Sequence, residues 1–163
     1  MRDYDLIKER ISYCPDSGNL YWKKTHLTQN EKEGDLAGGR CNHGYITLKC
    51  NGVSYQGHRV AYFLMTGDLP YSVDHINGDK TDNRWVNLRA ASHSENIVNQ
   101  GFRKTNKSGI KNVYWNKAKE GWSVAIRSNG KRHNLGTFDT IFEAAAVAIP
   151  ARTRLHGVFA NHG

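Results

Sequence analysis

Apolar side chains at Leu6, Ile7, Ile11 and Tyr13 recur at roughly helical spacing, which predicts a helix over residues 3–13 with one buried face. Pro15, Asp16, Ser17 and Gly18 spell a turn, and Leu20, Tyr21 and Trp22 then read as a short strand. Residues 24–39 are polar and glycine-rich, so mostly loop is expected there. Residues 44–50 read as a strand, Asn51-Gly52 is a strong hairpin turn, and residues 53–55 would return. The pattern over 58–66 is helical, stopped by Gly67 with Pro70 beyond it. Val73, Asp74, His75 and Ile76 predict a strand that enters the turn Asn77-Gly78-Asp79-Lys80, and residues 86–89 predict its partner. Ser92 and Glu95 have capping-box spacing, so a helix should start there and run toward Gln100. The local order is strand, loop, strand, helix.

Residues 101–109 are polar, basic and aperiodic, as a linker would be. Three short strands follow at 113–115, 122–127 and 131–135, the last two joined by a tight Asn129-Gly130 turn. Residues 140–156 are alanine-rich and helix-like. Pro150 falls inside that helix, removes a hydrogen bond and costs about 3 kcal/mol, so a kink or break is expected near 147–150. The fold class expected is α+β. The chain divides into a first domain over 1–100, a basic linker over 101–109 and a second domain over 110–163, the latter a small three-stranded antiparallel sheet packed on one helix.

Composition narrows the class. With 163 residues, 38% hydrophobic, 4 Trp and 8 Tyr, the chain can build one ordinary core or two small ones. No apolar run reaches the roughly 18–20 residues that span a bilayer, and the first residues lack the apolar stretch of a signal peptide. A soluble, cytoplasmic protein is expected, with no membrane partner. Cys14, Cys41 and Cys50 are odd in number and contain no Cys-x-x-Cys pair, which argues for reduced structural thiols over disulfides or zinc. The net charge is +8, and it is unevenly placed. Residues 1–100 hold 12 Lys and Arg against 12 Asp and Glu, whereas residues 101–163 hold 11 against Glu120, Asp139 and Glu143. A clustered surplus of this kind is the electrostatic footprint of nucleic-acid binding, although a merely solvated basic face would look the same.

The strand–turn at 73–80 carries the candidate chemistry. Cutting a phosphodiester at neutral pH needs an activated water and neutralised phosphate charge. A histidine with an ordinary pKa of about 6.5 can take the proton, and one hard divalent cation can stabilise the oxygens. Magnesium keeps several waters, so a carboxylate and an amide oxygen from the protein suffice. Asp74 offers the carboxylate, His75 the base and Asn96 the amide. Strand neighbours point to opposite faces, so Asp74 and His75 share a site only where the strand ends or twists. On residue types alone, an Asp-His pair beside a turn is also ordinary loop chemistry.

The composite Val-Asp-His-Ile-Asn-Gly-Asp-Lys-x-Asp-Asn-Arg-Trp-x-Asn-Leu-Arg over 73–89, with Ser-Glu-Asn at 94–96 and His-Arg-x-Ala-x-x-x-x-Thr-Gly at 58–67, resembles the His-Asn-His (HNH) endonuclease family, above all its phage and intron-encoded homing members. The resemblance implies a ββα-metal (His-Me finger) motif over about 72–100. It implies His75 as general base, Asp74 as metal-binding carboxylate and Asn87 as the residue that holds the loop through backbone hydrogen bonds. Asn96 falls at the third His position, a departure from the family name that still offers an oxygen ligand; His93 is the fallback. Arg59 and Arg89 are placed either to contact phosphate or to form structural ion pairs.

Ser108 to Trp115, Gly121 to Arg127, Lys131 to Thr140, Glu143-Ala144-Ala145 and His156-Gly-x-Phe-Ala-Asn161 resemble the APETALA2-type domain of plant ethylene-response factors. That resemblance implies a sheet laid in the major groove with a helix behind it. By position Lys111, Tyr114, Asn116, Trp122, Arg127, Arg132 and Asn134 would face DNA, with core packing the alternative for Trp122.

The two resemblances together imply a metal-dependent endonuclease acting on double-stranded DNA with one Mg2+ or Mn2+ per site. It would leave 5′-phosphate and 3′-hydroxyl ends, and a homodimer on DNA is open to it. A non-cleaving DNA-binding regulator built on such a nuclease is the rival reading, and an RNA-binding protein is a second.

Overall fold

The computed structural model describes residues 3–23, 32–101 and 105–162. The chain forms two compact units, Met1–Ser92 and His93–Gly163, dividing earlier than the boundary at residue 100 expected from composition. Part of the loop expected over 24–39 and of the linker expected over 101–109 lies outside the described residues.

In the first unit, helix α1 (Tyr4–Arg10) is capped by Asp3, whose carboxylate accepts from the Leu6 amide. It is shorter than the periodicity predicts. Ile11 instead begins strand β1 (Ile11–Tyr13), which pairs antiparallel with β2 (Leu20–Trp22). A β-branched residue that can bury itself opposite Trp22 gains more in that ladder than in another helical turn. Strands β3 (Gly39–Arg40), β4 (Ile46–Cys50) and β5 (Val53–Gln56) form a second sheet in the order β3-β4-β5, with the expected Asn51-Gly52 hairpin. Helix α2 (Gly57–Thr66) ends on Gly67, whose φ of 79° is the left-handed conformation that stops a helix. Strands β6 (Ser72–His75) and β7 (Leu88–Ala91) make a separate two-stranded sheet, joined by a loop that closes through a 3-10 turn at Trp85–Asn87.

The main core gathers Ile7, Ile11, Leu20, Trp22, Leu48, Tyr55 and Val60. A smaller cluster of Ala61, Val73 and Leu88, flanked by Tyr62 and Trp85, lies beneath the β6–β7 hairpin and fixes it to α2. The first hairpin also grips the loop. Trp85 donates its amide to the Pro15 carbonyl, and Tyr13 donates its hydroxyl to the Asn83 carbonyl at 2.7 Å. Gly18 has φ +75°, and a Cβ there would sit 2.5 Å from the Arg84 nitrogen and 2.6 Å from the Asn83 carbonyl carbon. Both contacts are backbone, so nothing can swing away. Gly18→Ala is expected to lower stability by about 2 kcal/mol, from the strained φ and the clash together, as measured by urea unfolding. An unchanged midpoint would show that the two segments separate freely.

The second unit opens with helix α3 (His93–Asn99). Its carboxyl end is held inside this unit: Lys111 donates to the carbonyls of Val98 and Gln100, and Asn161 to that of Asn99. Strands β8 (Val113–Asn116), β9 (Gly121–Ser128) and β10 (Lys131–Phe138) follow in the antiparallel order β10-β9-β8, and α4 (Ile141–His156) packs on them. Thr140 and Glu143 form a full capping box at the start of α4. The break expected at Pro150 does not occur, and the helix runs through it to His156. Ala144 and Ala148 before the proline and Ala151 and Arg152 after it are all buried, and Ser128 donates to the Leu155 carbonyl in the last turn. Anchorage on both sides of the proline outweighs one lost hydrogen bond.

Among the described residues no helix is long and apolar enough to cross a membrane. Among the described residues Cys14, Cys41 and Cys50 form no disulfide.

Candidate active site

Pairing of β6 with β7 sets Asp74 opposite Arg89 and His75 opposite Leu88. The two neighbours therefore meet different partners, as strand alternation requires. Asp74 is 6% exposed, and its Oδ2 accepts from Arg89 Nε at 3.0 Å and Nη2 at 2.8 Å. His75 is 4% exposed, and its Nε2 lies 2.9 Å from Asn83 Oδ1. An Nε2–H tautomer would donate to this amide oxygen and leave Nδ1 as the ring's acceptor nitrogen.

Tyr45 links the two residues. Burial raises its phenol pKa, and the Asp74 charge adds to that, while its ring centroid lies 6.1 Å from that of His75. Lys80 sits 4.7 Å from the centroid of the Tyr45 ring, a cation–π contact at the mouth of the loop.

Asn87 closes the loop between the strands. Its Oδ1 accepts from the Asn77 amide at 2.9 Å, and its Nδ2 donates to Asn77 Oδ1 at 3.0 Å and to the Asp82 carbonyl at 2.7 Å. The loop is further stitched from within. Asp79 accepts from the Thr81 amide and hydroxyl, Asn77 donates to Asp82, and Asp82 forms an ion pair with Arg84. Those hydrogen bonds hold the Asp79 and Asp82 carboxyls below their usual range.

Of the arginines for which two roles were open, both have structural partners. Arg59 donates to the carbonyls of Pro70 and Tyr71, each at 3.1 Å, and Arg89 pairs with Asp74. Asn96 and His93 lie on α3, in the second unit, apart from the unit that holds Asp74 and His75.

Asn83 and His58 escaped the reading by residue type. Asn83 is 2% exposed and its only sequence signal is its place in the Asp-Asn-Arg run. His58 was legible only as part of a motif, yet its ring packs edge-on against His75 at 4.9 Å and lies 5.2 Å from Tyr45. Its Nδ1 is buried with no hydrogen-bond partner. Burial first, and then the neighbouring positive groups, push its pKa down to about 3. The folded protein thus holds His58 neutral while the unfolded chain protonates near pH 6.5, so stability falls as pH drops through 6.5 toward 3. Between pH 7 and pH 5 the wild type is expected to lose about 2 kcal/mol more than His58→Phe. Parallel urea-unfolding curves for the two proteins across that range would contradict the assignment.

The outer face of the second unit's sheet carries a polar, cationic cluster. Register places Tyr114 beside Ser123, Asn134 beside Ala125 and Arg132 beside Arg127. Arg132 donates to the Tyr114 hydroxyl at 2.9 Å and to Asn134 Oδ1 at 3.0 Å, and Asn116 lines the same concavity. Tyr114, Asn116, Arg127, Arg132 and Asn134 are thus brought to one face. Trp122 is not with them. It alternates onto the helix side with Val124 and packs, partly buried, against the core of Val113, Val124, Ala144 and Ala148. Lys111 precedes β8 and bonds the end of α3 instead of standing on the sheet.

Among the described residues no group of three or more His, Cys, Asp or Glu is placed to hold a metal ion. The donor chemistry in the hairpin fits a hard cation that brings most of its own shell as water. It consists of the carboxylate of Asp74, whose Oδ2 accepts from Arg89.

A family model described as HNH endonuclease matches residues 55–98, from β5 through most of α3. Protein 3.8 of Escherichia phage T7 is 38% identical over 106 residues, which cover 64% of this chain and 87% of that protein. An uncharacterized HNH endonuclease of Acanthamoeba polyphaga mimivirus is 32% identical over 108 residues, covering 64% of this chain and 55% of that protein. No solved structure matches the chain.

Proposed function

Because the chain belongs to the family of phage T7 Protein 3.8 and carries an HNH endonuclease domain, we propose that it hydrolyses phosphodiester bonds in duplex DNA at the β6–β7 hairpin. The observation that carries the proposal is His75, whose Nε2 lies 2.9 Å from Asn83 Oδ1, next in the strand to the Asp74 carboxylate anchored by Arg89.

In this reading His75 Nδ1 removes a proton from the attacking water, and Asn83 holds the ring so that this nitrogen stays basic. Asp74 would hold one divalent cation, with the sequence pattern assigning Asn96 the second oxygen donor. When bound, that ion supplies charge neutralisation at the phosphate. Arg89 fixes the Asp74 carboxylate, and Asn87 fixes the loop that carries Asn83. The ends left would be 5′-phosphate and 3′-hydroxyl.

The second unit supplies affinity. Arg127, Arg132, Tyr114, Asn116 and Asn134 form a face suited to phosphate and groove contacts, and its binding should weaken steeply with salt. The likeness to APETALA2-type domains is consistent with three antiparallel strands backed by one helix, and it remains part of this proposal.

The test is incubation of supercoiled plasmid with the protein in magnesium or EDTA, followed by DNA ligase. Nicking in magnesium alone, with nicks that ligase seals, is the expected result. DNA that is bound but stays intact in magnesium would favour the non-cleaving regulator. Preferential competition by duplex RNA would favour the RNA-binding reading.

A further inference from the structure

The second unit contains a cavity of about 570 Å³ whose wall includes Lys111, Arg127, Arg152 and His156. Arg152 is the largest fully buried side chain described, at 1% exposure. Its Nη1 donates to the Lys111 carbonyl, whereas Nε and Nη2 have no hydrogen-bond partner. A guanidinium does not shed its proton inside a protein, so this charge cannot be relieved by titration. Nor does a carboxylate relieve it. The ion pairs among the described residues, Arg84–Asp82 and Arg89–Asp74, both lie in the first unit. Glu95 lines a neighbouring recess rather than this one.

Lys111 and His156 share the wall. Burial, and then the Arg152 charge, pull Lys111 down to about 8, and burial with Lys111 and Arg152 lowers His156. The fold therefore buries the Arg152 guanidinium with two nitrogens unpartnered, close to a Lys111 ammonium that already bonds the Val98 and Gln100 carbonyls, in the wall of an open volume. Uncompensated burial of that kind is strongly unfavourable unless an anion completes it. The nitrogens left without partners, Nε and Nη2, form the side-on fork of the guanidinium. Arg89 uses the same fork on Asp74, and it matches two oxygens of one oxyanion. The volume is within the range of small-molecule sites and far exceeds a single water. A group carrying about −1.5 to −2 charge at neutral pH, as a phosphate monoester does, answers this cation set better than a singly charged carboxylate.

We propose that this cavity binds a phosphate monoester, with Arg152, Lys111 and His156 in its wall and a side-chain adjustment bringing the buried, unpartnered Arg152 Nε–Nη2 fork onto the monoester's oxygens. The monoester could belong to a free mononucleotide or to a phosphorylated DNA end. All the residues involved lie in the second unit, so the site stands or falls independently of the hairpin's chemistry.

The experiment is thermal unfolding and titration calorimetry of the full chain with inorganic phosphate, thymidine 5′-monophosphate and thymidine. Saturating monophosphate should raise Tm by about 5 °C and thymidine should not. Arg152→Met, which removes a buried charge, should melt at or above the wild-type temperature and bind the monophosphate at least tenfold more weakly. Lys111→Gln should also weaken it, which keeps the test available if the first variant misfolds. Short duplexes with and without a 5′-phosphate distinguish the sources. A preference for the phosphorylated duplex in wild type alone assigns the DNA end, and binding of the mononucleotide without that preference assigns the free nucleotide. A Tm rise shared equally by wild type and both variants would be a general salt effect and would overturn the site, as would no response to either phosphate compound.

Discussion

His75→Ala is expected to slow single-turnover nicking of supercoiled plasmid by 10²- to 10⁴-fold in saturating magnesium, with duplex affinity nearly unchanged. The rate falls because, under the proposed mechanism, the group that takes the water's proton is gone. The affinity holds because the surplus of 11 basic residues over 3 acidic ones lies beyond residue 100. Gel shift and plasmid relaxation on the same preparation separate the two effects. A rate within tenfold of wild type would remove His75 from the chemistry.

Asn87→Ala should have the largest effect on stability. Asn87 is 6% exposed, and its side chain satisfies the Asn77 amide and the Asp82 carbonyl from the centre of the loop. Removing it strands two backbone groups at about 1–3 kcal/mol each, for a loss of about 4 kcal/mol. Thermal unfolding should move down by more than 10 °C, and nicking should fall as well, since the Asn83 that orients His75 sits in the same loop. A shift of less than about 2 °C would show that the internal Asn77–Asp82 and Asp79–Thr81 bonds hold the loop without it.

Much of this architecture was legible because local rules and tertiary packing agree. Asn51-Gly52 and Asn129-Gly130 sit in hairpin turns where Gly52 and Gly130 have positive φ, and Gly67 ends α2. The order strand, loop, strand, helix from 72 to 99 follows from the alternation around Asp74 and the helical pattern after Ser92. The departures have physical causes. Ile11 left the predicted helix for a strand because Trp22 is there to pair with it, a long-range fact that periodicity does not contain. Pro150 stayed helical because residues on both sides are anchored to the sheet. Trp122 looks the same in sequence whether it faces DNA or core; only the register with Val113 and Val124 decides.

The candidate site shows the same division. Asp74, His75 and Asn87 were found by motif. Tyr45 carries no local signature, and Asn83 and His58 were legible only as members of a motif, since what matters about them is who lies across the space between elements. The charge trapped at Arg152 was equally invisible, because an arginine in an alanine-rich helix reads as surface.

The most direct test of the central claim is Mn2+ titration followed by the imidazole NMR signals of the chain's 8 histidines. If Asp74 holds the cation beside His75, the His75 resonances broaden first in the wild type, and that preference disappears in Asp74→Asn. Broadening of His75 that is identical in the two proteins, or no preference for His75 at all, would contradict it.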